Sequence, residues 1–471
     1  MVAASRSRPR VAQIVPLVVT LLGLSSPWPA AATGGPKVAT HPRTGPPGRV
    51  VRVTGQGFGS REVVDLSFGR HALATTSTDA SGSFRRKVQI PRRAHPGNHW
   101  ISATGAASGG TATTPFLVDT DWPQFRGDSQ HHGQNRHEHL LSTSTRSVEL
   151  RWSFRSGFPF YLDSPVLADG VLYVGSDNRN LYALDAFTGA ERWAFPAFSS
   201  GETPAVARGL VYAASNDGRL HALDVATGET RWVFGTGSFR FFNSPTVAGG
   251  TVYVGGGDAV FALDAATGTK RWSVHRRGSY ASPAVVGGTV YVGAGDGKVL
   301  ALDAATGAER WRFDTRAFVY SSPAVVDGVV YVGSGDGVVF AIDATTGAER
   351  WRFQTAGELN SVVESSPAVA NGVVYIGSRD HNVYALEADT GAVRWAFRTG
   401  DFVLSSPAVA NGVVYVGSDD RNVYALDAGT GARVWSFRTR GAIGSSPVVA
   451  NGMVFVGAGP KVIALGPERP A

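Results

Sequence analysis

The residues in this 471-residue chain best suited to chemistry are carboxylates that recur at regular spacing: Asp185, Asp224, Asp264, Asp303, Asp343, Glu387 and Asp427. A carboxylate pair performs acid–base work only when two groups converge and their environments differ. These occur once per repeat, each just before a Thr-Gly turn. Equivalent positions in successive repeats are held apart, so the spacing predicts side-chain acceptors for turn N–H groups. Four histidines, His131, His132, His137 and His139, also lie close together. A metal site needs convergent ligands, and no helical or strand period here supplies them. The stretch reads as a solvated polar linker. The chain has no cysteine, which excludes disulfides, thiolate metal ligands and cysteine nucleophiles.

The elements that must position any site are strands. The chain is 43% apolar and 17% charged, with 59 glycines, a globular composition suited to strands separated by turns. Residues 1–32 read as a signal peptide. Arg6, Arg8 and Arg10 precede an apolar run from Val11 to Leu24, with small residues near Ala30–Ala32 for cleavage. The expectation is an exported protein, extracellular or in the cell wall or periplasm, with no membrane span. Without cysteine it lacks the lipid anchor of bacterial lipoproteins.

Charge divides unevenly. The formal total is +7, yet residues 35–118 hold 11 Lys+Arg against 3 Asp+Glu, while residues 119–471 hold 30 against 34. The first segment is predicted to be a small β-sandwich. Val64, Leu66 and Phe68 alternate with Asp65 and Ser67, and Val88 and Ile90 alternate with Lys87 and Gln89. Its stretch GPPGRVVRVTGQGFGSREVVDLSFG resembles the immunoglobulin-like domains of exported bacterial proteins. Such a module implies a spacer or adhesion role, and its basic surface would suit an acidic wall or membrane surface. Residues 119–146 follow as a linker leading into the repeats.

Residues 147–467 are repetitive. A Ser/Thr-Pro step falls at Pro165, Pro204, Pro245, Pro283, Pro323, Pro367, Pro407 and Pro447. Each unit then reads as a short apolar segment, a tight turn of the Asn-Gly kind, two apolar strands, a Thr-Gly turn and a fourth strand ending in tryptophan. Four short strands in about 40 residues make a β-propeller blade. Eight outer-strand tryptophans occur: Trp152, Trp193, Trp232, Trp272, Trp311, Trp351, Trp395 and Trp435. The first precedes any Ser-Pro step, and the last unit stops before its own. The strand at Val148–Ser156 is therefore predicted to complete the last blade and seal the ring, since closure removes an exposed sheet edge. The fold class predicted is all-β: an eight-bladed propeller closed by an N-terminal strand, behind a small sandwich.

The recurring ALDAxTGxxxW motif, at Ala183–Trp193, Ala222–Trp232, Ala262–Trp272 and onward to Ala425–Trp435, resembles the pyrroloquinoline-quinone-type (PQQ-like) propeller repeat. The preceding DWPQFRGDSQHHG, Asp121–Gly133, is similar to the segment before such propellers. The resemblance implies one of two roles. Some members are quinone-dependent alcohol dehydrogenases; others are non-enzymatic, among them a lipoprotein that helps to assemble outer-membrane barrels. By resemblance, the enzymes need a tryptophan under the quinone, a carboxylate–amide cluster for calcium or a lanthanide, and usually a vicinal cysteine pair. Here the cysteines are absent, and eight of eleven tryptophans belong to outer strands.

Function should lie where the copies differ. With strands running from the axis outward, the first and third turns share one uniform face, while the second turns and the blade-to-blade loops share the other. Those loops vary and carry aromatics: Phe158, Phe160 and Tyr161, then Phe239, Phe241 and Phe242, and further on Tyr280, Phe318, Tyr320 and Phe402. Polar groups among them are Asp163, Arg240, Asn243, Arg276, Arg277, Arg316, Glu358, Asn360 and Glu364. Aromatics with a few charges suit protein recognition; alternatively, the same aromatics plug the channel mouth. The reading favoured is an exported, non-catalytic binding scaffold for a protein or cell-envelope component, monomeric and without nucleic acid, cofactor or metal. The alternative is a quinoprotein dehydrogenase holding PQQ and calcium.

Overall fold

The computed structural model describes residues 35–91, 94, 97–118, 120–138, 141–156, 163–176, 178–196, 202–215, 217–235, 243–256, 258–275, 278, 281–356 and 362–468. The proposed signal peptide lies outside them.

The first unit has two sheets. One orders Lys37–His41, Val50–Gln56 and Phe84–Gln89; the other orders Thr44–Gly45, Thr111–Val118, Gly97–Gly105, Val63–Phe68 and His71–Ser77. Alternation along the strands sends Val51, Val53, Val64, Leu66, Phe68 and Val88 into one core with Ile101 and Phe116. The predicted inward residues of this segment are the buried ones.

Among the described residues, the rest of the chain forms eight sheets of four antiparallel strands each, one of which carries a short fifth strand, Gln134–Asn135, paired parallel to its inner strand Ala408–Ala410. The first comprises Val166–Ala168, Val171–Ser176, Asn180–Asp185 and Glu191–Pro196 in order from the axis. Six more follow in sequence. Each second strand is buried along most or all of its length, as in Val329–Gly333 and Val413–Gly417, because its two faces pack against the two neighbouring sheets. The turn after each inner strand places two consecutive residues at positive φ, for example Asp327 at 49° and Gly328 at 76°. That is the conformation Asn-Gly and Asp-Gly adopt at least cost.

The eighth sheet joins the two ends of the chain. Val448–Ala450, Met453–Ala458 and Lys461–Pro467 are completed by Val148–Arg155. Trp152 sits opposite Ala464, with a bulge at Arg151. Trp193 sits opposite Ala183 in the same way, with a bulge at Arg192. The inner strands neighbour one another in cyclic order, and that of the eighth sheet lies beside that of the first. The sheets therefore form a closed wheel.

The joints between sheets explain the repeat motif. Seven of the eight indoles, all but Trp435, pack over the Thr-Gly turn of the next sheet. A Cβ on Gly347, which has φ +74°, would lie 2.7 Å from the ring of Trp311. Glycine is thus required there both by backbone conformation and by close approach. The indole N–H donates to a main-chain carbonyl of the next sheet, as Trp311 does to Ala344 O at 3.0 Å, and the Tyr291 hydroxyl donates to the same oxygen at 3.0 Å. Six joints have this paired arrangement. At the joint between the seventh and eighth sheets it fails: among the described residues, Tyr415 Oη and Trp435 Nε1 are buried without a partner. There the chain has Leu465-Gly466-Pro467 in place of Leu-Asp-Ala, and Pro467 O accepts from Arg151 instead.

Candidate functional site

The acidic residue of the repeat holds its turn. Asp303 Oδ1 accepts from Ala305 N, Thr306 N and the Thr306 hydroxyl at 2.9–3.0 Å, and Oδ2 pairs with Arg310 at 2.7 Å. The Arg310 hydrogen bond, followed by the Thr306 bonds, lowers its pKa to about 2. Asp185, Asp224, Asp264 and Asp343 are engaged in the same way with Arg192, Arg231, Arg271 and Arg350, and Glu387 pairs with Arg394. In these six sheets the arginine is the bulged residue beside the tryptophan, a partner that carries no signal of its own in the sequence. These carboxylates lie one per sheet at separate turns, and none forms a pair.

The serine or threonine before each proline forms the hub on the variable face. Ser244 Oγ accepts from Thr203 N, Ser282 from Ser244 N, Ser322 from Ser282 N, Ser366 from Ser322 N and Ser406 from Ser366 N, all at 2.8–3.1 Å. Ser446 accepts from Ser406 N, and Ser164 from Ser446 N, carrying the chain of bonds across the seam. Each hydroxyl thus ties one sheet to the next. In sequence the Ser/Thr-Pro step was legible only as a repeat marker; its constancy was the available signal.

The lead-in segment is the largest departure from the sequence reading. It is not a solvated linker. Residues 122–135 run around the inside of the wheel and bond the inner strands in order. Trp122 exchanges two backbone bonds with Leu167 at 2.8 Å. Pro123 O, Ser129 O, Gln130 O, His132 O and Gly133 O accept from Val206, Val285, Val325, Val369 and Val409 N. Gln124 Oε1 accepts from Val247 N, and Asn135 Nδ2 donates to Val449 O. His131 is buried, with Nδ1 3.0 Å from Pro323 O and Nε2 3.2 Å from Thr246 Oγ1. Burial holds its pKa down to about 4. His132 pairs with Asp128, and His137 is exposed; His139 lies outside the described residues. Among the described residues no group of His, Asp and Glu is arranged to hold a metal ion.

Above this plug, on the variable face, is a cavity of about 570 Å³. Phe125 and the hub serines line it together with Tyr320, Leu404 and four carboxylates: Asp163, Glu202, Glu364 and Asp419. Burial, and then the field of Asp163, push the Glu202 carboxyl well above its ordinary range. Burial, and then Asp401, raise Asp419. Glu364 pairs with Arg379 at 2.7 Å, whose guanidinium lies over the Phe402 ring with 5.8 Å to the centroid. The site is acidic, with apolar side chains set among the acids.

Of the ten aromatics singled out from the sequence, the structure describes three. Tyr320 is 41% exposed and lines the cavity. Phe318 packs against it with the rings tilted at 47° and centroids 4.5 Å apart, and lies over Gly335. Phe402, 38% exposed, sits at the rim between Arg379 and His381. Phe158, Phe160, Tyr161, Phe239, Phe241, Phe242 and Tyr280 lie outside the described residues, as do Arg240, Arg276, Arg277, Glu358 and Asn360. Asn243 is a structural residue: its Oδ1 accepts from Gly255 N and its Nδ2 donates to Ala281 O. Arg316 is exposed on a turn at φ 69°. Glu202 and Asp419 were not singled out; lone acids in variable loops carry no spacing signal.

Comparison with known proteins adds three findings. A family model described as outer membrane protein assembly factor BamB matches residues 136–275, 258–396 and 359–468. The serine/threonine-protein kinase AfsK of Streptomyces griseus is 36% identical over 125 residues, a match covering 23% of this chain and only 15% of the kinase. Two solved structures share the fold. BamB from Moraxella catarrhalis has a TM-score of 0.58 and 22% identity, covering 68% of this chain and all of that one. The quinohemoprotein alcohol dehydrogenase from Comamonas testosteroni has a TM-score of 0.63 and 17% identity, covering 75% of this chain and 82% of that one.

Proposed function

The chain belongs to the PQQ-type repeat family whose matching model is described as outer membrane protein assembly factor BamB, and from that membership we propose that it is an exported, non-catalytic scaffold. It recognises a protein or another cell-envelope component with the variable face of the wheel. The observation that carries this reading is the hub cavity, where Tyr320 and Leu404 stand among Asp163, Glu202, Glu364 and Asp419. Such a surface suits an extended polypeptide presenting basic and apolar side chains. Tyr320 and Leu404 both lie three residues before a proline. By the same count, Phe242 and Tyr280 occupy that place in their own loops.

Among the described residues, those present do not suit a bound quinone. All eight outer-strand indoles lie at sheet joints, away from the axis. Trp122 is buried against the first sheet, and Phe125, Arg126 and His131 stand at the hub. The acids of the cavity do not converge on a metal position. The dehydrogenase alternative thus has the shared fold in its favour and, among the described residues, no donor set.

Photoreactive residues at positions 320 and 402, compared with position 345 on the uniform face, test the proposal. Envelope-protein adducts formed from 320 and 402 but not from 345 are expected. Equal labelling from both faces, or turnover of an alcohol after addition of pyrroloquinoline quinone and calcium, overturns it.

A further inference from the structure

Arg126 is 2% exposed and lies at the hub, in a segment bonded on both sides to inner strands. None of its Nε, Nη1 or Nη2 atoms has a hydrogen-bond acceptor among the described residues. An unpaired cation out of water is among the costliest things a fold can hold, and a buried charge is ordinarily paired or neutralised. Neutralisation does not relieve this one: burial lowers its pKa only to about 9, so the guanidinium stays charged at neutral pH.

The nearest acid is engaged elsewhere. Asp128 Oδ1 accepts from Gln130 N at 3.0 Å and His132 N at 3.2 Å, and Oδ2 pairs with His132 Nδ1. Its field reaches Arg126 without contact. His131, also at the hub, uses both ring nitrogens on Pro323 and Thr246 and is kept neutral by burial.

The backbone is shaped around the cation. Arg126 takes φ 60°, and its carbonyl accepts from Gly133 N at 2.9 Å, folding residues 126–133 into a loop. The guanidinium lies against Gly133, where any Cβ would overlap Nη2. The glycine makes room for the charged head.

We propose that Arg126 binds a small inorganic anion of the halide class at the centre of the wheel. A planar fork of five donors satisfies a spherical anion or a compact one. Because the head is enclosed by the loop and the inner strands, a carboxylate carried on a partner chain does not reach it. The anion completes the charge balance of the plug and so stabilises the closed ring.

The probe is bromide. Full-length protein is unfolded by denaturant at constant ionic strength while bromide or chloride replaces gluconate, whose bulk the hub excludes. Once the halide exceeds its dissociation constant, each tenfold increase should make unfolding tenfold less favourable. Arg126→Met should abolish that dependence while remaining folded in gluconate, since it removes the uncompensated charge. Should the variant not fold, crystals of the native protein grown in bromide decide the question. An anomalous peak within hydrogen-bond distance of the Arg126 guanidinium supports the site. No peak there, or the same stability in halide and gluconate for the native protein, overturns it.

Discussion

The sheet joints allow one substitution to be compared in two settings. At the middle joint, Trp311 donates to Ala344 O, and Tyr291 donates to the same oxygen. Trp311→Phe removes one hydrogen bond, worth about 1 kcal/mol net, without orphaning the carbonyl. The smaller ring also leaves a packing defect of about 1–2 kcal/mol. At the joint between the seventh and eighth sheets, Trp435 is as buried as Trp311, 5% against 9% exposed, but its N–H has no acceptor among the described residues. Trp435→Phe incurs the same packing defect and removes an unsatisfied donor that costs about 1–3 kcal/mol. The two variants should therefore differ by about 2–4 kcal/mol, with Trp435→Phe near native stability. Denaturant midpoints of the full-length variants, analysed with a common slope, measure the difference. Equal destabilisation, within about 0.5 kcal/mol, refutes the reasoning, because it would mean that the N–H bond contributes nothing at any joint.

The remaining predictions concern the hub and the turns. Ser322→Ala leaves the buried Ser282 N–H without its acceptor and should cost about 1–3 kcal/mol, whereas Ser322→Thr should retain most of it; thermal unfolding of the two separates the bond from side-chain bulk. Asp264 and Asp303 have pKa values lowered to about 2, first by their bonds to Arg271 and Arg310. Their folded forms bind protons less readily than the unfolded chain, so their contribution is full above the ordinary carboxyl pKa and is lost as pH falls from about 4 to about 2. The double variant Asp264→Asn, Asp303→Asn should show a shallower loss of stability across that window, read from denaturant midpoints at each pH.

The fold was legible because its signal is repeated. Ser/Thr-Pro, Asn-Gly and Thr-Gly recur in step, and each is demanded by local physics: a hub acceptor, two positive φ angles, and a glycine under an indole. Even the closing strand could be assigned, since Trp152 lacked a sheet of its own and the last unit lacked a tryptophan. The lead-in segment was not legible. Its side chains are polar, and its place in the wheel depends on backbone carbonyls, which every sequence possesses and none advertises. His131 and Arg126 read as linker residues because burial of a polar group depends on partners far away in the chain. The cavity was half legible: loop variability and the aromatics those loops carry, Tyr320 among them, pointed to the face, but the acids converge only through the ring geometry.

The inner circuit of residues 122–135 has a temporal meaning. It leaves the ribosome before any of the eight sheets, and each inner strand that follows finds its hydrogen-bonding partner already synthesised, in the order in which the strands emerge. A chain of near-identical units is exposed to mispairing by one whole repeat. A non-repeating guide of fourteen residues, touching every unit at a different atom, distinguishes otherwise interchangeable copies. Relocating that guide to the far terminus by circular permutation would keep every final contact and remove the running index against which the copies are ordered.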